Sequence, residues 1–121
     1  MKGNSSKAAE SDCYALIQRI ALLQDPFCII CKQPSNAGHH LFTRSRLATA
    51  FHPECVRGLC LTHHVFAHRM PKRFKVIMET MMGNRYRELE KLSREIIAYM
   101  DFTAKRAELR GIVARLERRT L

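Results

Sequence analysis

The chain has 121 residues and a formal net charge of +10, with a pI near 9.9. That length allows one domain, or one small core with helical appendages. An apolar share of 46% argues against disorder, and neither a secretory segment nor an apolar run long enough for a membrane span is present.

Trp is absent and aromatic residues make up only 7% of the chain. A core so poor in large side chains calls for a staple, and a structural metal is one of the standard kinds. The charge is uneven. Residues 1–31 are balanced, whereas residues 32–75 set Lys32, Arg44, Arg46, Arg57, Arg69, Lys72, Arg73 and Lys75 against Glu54 alone. A polyanion is the expected partner of such a segment, with nucleic acid foremost. Five cysteines is an odd number. Without a secretory signal, reduced thiols in the cytoplasm and metal ligation are expected ahead of disulfides.

In chain order, residues 1–10 are polar and are expected to fray. Ser11 or Asp12 can cap a helix reaching about Gln24, with Leu16, Ile20 and Leu23 on one face, and Asp25-Pro26 ends it. Cys13 on that helix is expected to be a small buried apolar residue. Pro34 to Gly38 is a loop, and Leu41-Phe42-Thr43 a short strand that His39 and His40 begin. Arg44 to Ala50 is a helical turn or a loop, and His52-Pro53 starts another turn. Val56 to Leu61 is the returning strand of a hairpin. His63 to Arg69 is helical, and Pro71 interrupts it. Helices follow over Lys72–Met82, Arg85 to about Met100, and Thr103–Arg119, with Gly83-Asn84 stopping the first of them. The second should carry Leu89, Leu92, Ile96 and Tyr99 on one face. The fold class is therefore α+β, a small zinc-stapled core with an N-terminal helix and a helical C-terminal tail.

The chemistry concentrates between Cys28 and His68. All six histidines lie from His39 to His68, and four of the five cysteines are Cys28, Cys31, Cys55 and Cys60. Cys28-x-x-Cys31 and Cys60-x-x-His63 form a Cys₃His set suited to a closed, tetrahedral structural zinc. Cys55 is an alternative to His63 as the fourth ligand. His64 and His68, four residues apart, share a helix face, and with His39 they can hold a second divalent ion (Mg²⁺, Mn²⁺, Ni²⁺ or Zn²⁺) with positions left open. His39 and His40 point to opposite sides of an extended chain, so one can bind metal while the other faces a substrate.

Taken together, C28-x2-C31, G38-H39-H40 and C60-x2-H63-H64-x3-H68 resemble the HNH (His-Asn-His, ββα-metal) nucleases. The likeness is closest to small phage-type members with a zinc-binding cysteine frame, and it covers about residues 27–80. It implies an HNH-like domain over residues 11–82 and a helical extension over 83–121. It further implies a metal-dependent endonuclease hydrolysing double-stranded DNA with weak sequence specificity, in a bacterial host cell if phage-encoded. On that likeness His40 is the general base, His39, His64 and His68 are the catalytic-metal ligands, and Arg44 faces phosphate. The family's middle asparagine, which pins the loop orienting the base, is replaced here by Cys55; either the loop is held otherwise, for example by His52 or Glu54, or the site is slow or inactive. The alternative is a non-catalytic zinc-stapled DNA-binding protein, or a recombination or packaging accessory. In either case the C-terminal helices are expected to serve a protein partner or self-association.

Overall fold

The computed structural model describes residues 2–119, and the side chains of residues 7–119; Met1, Thr120 and Leu121 lie outside the described residues. Helices dominate, around one two-stranded sheet. The elements are α1 (Lys2–Gln24), β1 (Ala37–His40), α2 (Leu47–Ala50), a 3₁₀ turn at Pro53–Cys55, β2 (Val56–Leu59), α3 (Leu61–Arg69), α4 (Pro71–Met82), α5 (Asn84–Ser93) and α6 (Phe102–Arg119). The mixed helix-and-strand class read from the sequence holds.

Helix α1 starts well before Ser11, and the segment expected to fray is helical from Lys2. Residues 2–10 hold no proline, and Ala9 is already fully buried, so packing prolongs the helix beyond its expected cap. The buried stripe is Ala9, Cys13, Ile17, Ile20 and Ala21, one step round from the face expected. Cys13 is fully buried, as its apolar reading requires. Helix α6 covers this stripe with Leu109, Ile112, Val113 and Leu116. Asp12 pairs with Arg106 and Arg19 with Glu117, so the two helices run side by side in one direction.

β1 and β2 are antiparallel, with His39 opposite Arg57 and His40 opposite Val56. The first strand ends at His40 rather than running on through Thr43. One further ladder bond, Leu41 N–H to the Cys55 carbonyl at 2.8 Å, closes it. The chain then turns, with Arg46 N–H bonded to the Thr43 carbonyl, as Phe42 enters the core. The two histidines therefore close the strand instead of opening it. β2 likewise stops at Leu59, because Cys60 is already the cap of α3.

Two apolar clusters result. One joins α1, α6, Phe51 and Val56. The other packs the cysteine region against Phe42, Leu59, Phe74, Met78, Tyr86 and Leu89. Pro71 does not merely interrupt a helix: it is the first residue of α4, where its missing N–H costs nothing. Gly83, at φ +60°, turns the chain from α4 into α5. Helix α5 ends at Ser93, short of Met100. The buried Ser93 hydroxyl donates to the Glu90 carbonyl at 2.6 Å and accepts from Arg46 at 3.1 Å, which ties the helix end to the α2 loop. Ile96 and Tyr99, expected on the helix face, are consequently 93% and 68% exposed. Asp101 then caps α6, its carboxylate accepting from Ala104 N–H at 3.0 Å.

Candidate metal centre and adjoining cleft

The first donor set forms where two tight segments meet. Lys32 N–H bonds the Cys28 carbonyl at 2.9 Å, and Cys28 N–H bonds the Gln33 carbonyl at 2.6 Å. This closes a turn that aims both thiols one way. Lys32 adopts φ 69° to allow it, a conformation that strains a residue with a Cβ. The other two donors come from the start of α3. Cys60 is its N-cap, the Sγ accepting from His63 N–H at 3.4 Å. One thiol thus satisfies the helix terminus and holds His63 at the right distance.

Cys31 Sγ lies 3.6 Å from Cys60 Sγ, and His63 Nδ1 lies 3.6 Å from Cys28 Sγ and 3.3 Å from Cys60 Sγ. A tetrahedral ion with Zn–S of about 2.3 Å and Zn–N of about 2.0–2.1 Å needs S···S separations of about 3.8 Å and S···N of about 3.6 Å. The donors fit such an ion to within a few tenths of an ångström. Burial opposes ionisation of Cys28, but the backbone N–H groups of Cys60, Cys31 and Ile30 outweigh it and draw its pKa down to about 6. Cys55 is different. It lies outside this set, fully buried in the apolar cluster, and burial, then Glu54, pushes its pKa up to about 12. His63, not Cys55, completes the four.

The second set stands on the neighbouring face of α3. His64 Nε2 and His68 Nε2 are 3.1 Å apart, one helical turn from each other. His39 comes across from β1, its ring 5.4 Å from that of His64 and 4.8 Å from that of His68. One ligand atom from each of the three lies within 4.8 Å of the others. Phe74 of α4 backs His39 edge-on at 5.1 Å. Burial first, then the neighbouring imidazoles, hold His39 down at about 4, so at neutral pH its lone pair is available to an ion.

His40 leaves β1 on the other side. Its Nε2 sits 3.0 Å from the Ala50 carbonyl. A carbonyl only accepts, so Nε2 carries the proton and Nδ1 keeps the lone pair. Burial, then the Arg44 charge, lowers its pKa despite that hydrogen bond. The ring is neutral at physiological pH. Histidines 39, 40, 64 and 68 line one cleft of ≈ 550 Å³ together with Arg44, Thr43, Tyr14, Gln18 and Pro71.

Tyr14 and Gln18 are the cleft residues that the sequence did not single out. They are one helical turn apart on α1. Gln18 accepts from Gly38 N–H at 2.8 Å and donates to the Gly38 carbonyl at 2.9 Å, so its amide pairs with β1 as a further strand would. A Tyr-x-x-x-Gln spacing on an otherwise ordinary amphipathic helix carries no signal of that role. Both residues expected to hold the loop from Arg44 to Cys55 make contacts at its far end. Glu54 accepts two bonds from Arg85 of α5, and His52 Nδ1 caps the 3₁₀ turn by accepting from Glu54 N–H at 3.1 Å.

No family model, curated protein or solved structure matches this chain. Among the described residues no helix is long and apolar enough to cross a membrane.

Proposed function

We propose that the protein is a metal-dependent endonuclease that hydrolyses DNA phosphodiester bonds, built on an HNH-like ββα-metal core. Cys28, Cys31, Cys60 and His63 hold a structural zinc. His39, His64 and His68 hold a second divalent ion, which when bound supplies positive charge to offset that developing on the phosphate. The observation that carries this reading is His40: a neutral imidazole with its Nδ1 lone pair free, beside a three-histidine set in one cleft. A purely structural zinc protein has no use for either.

In this scheme His40 Nδ1 accepts the proton of the attacking water, whose oxygen forms the new bond to phosphorus as the bond to the 3′ oxygen breaks. The Arg44 guanidinium pairs with a non-bridging phosphate oxygen. A neutral base near pH 7 is poised for this proton transfer.

The test is cleavage of supercoiled plasmid with each of Mg²⁺, Mn²⁺, Ni²⁺ and Zn²⁺, and with a chelator as control. His40→Ala should lose about 10²–10⁴-fold in rate, the usual cost of a general base, while retaining the second ion. His64→Ala should lose that ion too. Normal cutting by His40→Ala would end the assignment.

A further inference from the structure

We propose that Tyr14 is the positioning residue that pins the loop between β1 and the 3₁₀ turn, presenting Arg44 and fixing the carbonyl that anchors His40. Its catalytic consequence rests on the nuclease reading; the pin itself does not. How the loop is held to α1 matters, because the carbonyl that sets the His40 tautomer belongs to Ala50 at its far end, while Arg46–Ser93 and Glu54–Arg85 tie it only to α5. At the position where an amide would be expected to tie the loop, Cys55 makes no side-chain hydrogen bond among the described residues.

Tyr14 holds the segment at both ends. Its hydroxyl donates to the Arg44 carbonyl at 3.0 Å. Its ring lies beneath the Arg44 guanidinium, 4.2 Å from ring centroid to Cζ. The same ring packs against Phe51, the residue after Ala50, at 4.7 Å, and Phe51 in turn meets Phe102 of α6 at 6.0 Å. The chain therefore runs Arg44, Tyr14, Phe51, with α1 as its rigid mount, and Tyr14 stands 6.3 Å from the His40 ring. Moving Tyr14 would release both the cationic group and the anchor of the base. Displacements well under a helical turn are enough to slow chemistry steeply.

A hydrogen bond and an exposed cation–π contact together correspond to about a tenfold effect, and the hydroxyl alone to about two- to fourfold. In Tyr14→Leu, amide exchange at Arg46, Thr49, Ala50 and His52, which are all hydrogen-bonded within this loop, should quicken about tenfold. Exchange in α3 and zinc content should stay unchanged. Tyr14→Phe, which keeps the ring, should fall between and decides the matter should the leucine variant not fold. On plasmid DNA, kcat should drop about tenfold for Tyr14→Leu with KM within about twofold. In an Arg44→Ala background the same substitution should cost much less. Unchanged loop exchange in the variants overturns the pin, and quickened exchange with wild-type kcat overturns its positioning role. Wild-type protein that cuts no DNA with any of the four ions, while loop exchange responds as expected, leaves the pin standing and removes the nuclease.

Discussion

A methyl group at Gly38 would sit 2.7 Å from the Cβ of Ala21, 3.1 Å from Val56 Cγ1 and 3.2 Å from the Gln18 side-chain oxygen. The first of these is anchored directly to the backbone of α1 and has no rotamer with which to retreat. Gly38 thus sets how closely α1 approaches the strand that carries both His39 and His40. Gly38→Ala should destabilise the fold by about 1–3 kcal/mol through overpacking, seen as a lowered melting temperature, with cleavage impaired beyond the fraction unfolded. An unchanged melting curve would show that α1 can back away. Neighbouring residues are similarly divided at His63 and His64. About 100° of helical turn separates them, so one faces the cysteines and the other faces His39.

Helix α3 is the element on which the two donor sets converge. It supplies Cys60 as its cap, His63 to one set, and His64 and His68 to the other. Strand β2 delivers the chain to that cap directly, so the hairpin and the helix start are one continuous piece. The cysteine region is also part of the apolar cluster with Phe42, Leu59 and Tyr86. Four thiol and imidazole donors crowded within 4.8 Å gain most when an ion bonds them. Cys31→Ser should therefore lose about one tightly held zinc per chain and much of its helical content, measured by metal analysis and circular dichroism. Normal melting with the zinc gone would make this ion dispensable to the fold. His40→Ala is the matching control, since its ring touches neither set of donors and its bond is to a loop carbonyl.

Over the whole molecule, the positive charge of residues 32–75 is not all available to a ligand. Arg57 is locked to Asp25, which accepts from its Nε at 2.9 Å and also from Gly58 N–H at 2.9 Å. Lys75 pairs with Glu90 at 3.0 Å, and Arg46 is turned to Ser93. Lys32, Arg44, Arg69, Lys72 and Arg73 form no ion pair among the described residues. If DNA is the partner and those five residues make the phosphate contacts, counterion release gives a slope of log K against log salt of about −4 to −5. Titration by fluorescence anisotropy across salt concentrations measures it. A flat response would remove phosphate contacts from the interface. Arg57→Ala should leave the slope alone and lower stability instead.

Sequence alone picked out the donor pairs. Cys-x-x-Cys, Cys-x-x-His and the i, i+4 histidine pair are local spacings, and a tight turn or one helix turn suffices to aim each pair. Local patterning also placed most helices, because apolar residues at helical spacing and the stops at Pro26 and Gly83 act over a few residues. What only the tertiary structure decided is long-range. Ser93 ends α5 because Arg46, far away in sequence, holds its hydroxyl. The choice of His63 over Cys55 follows from the docking of α3 against the Cys28 turn, which sets His63 beside Cys28 and Cys60 and leaves Cys55 outside the set. Tyr14 and Gln18 reach the cleft because α6 covers the neighbouring stripe of α1, leaving the adjoining face to lie on β1. Such contacts depend on how elements dock, and the residues that make them follow no short spacing in the chain.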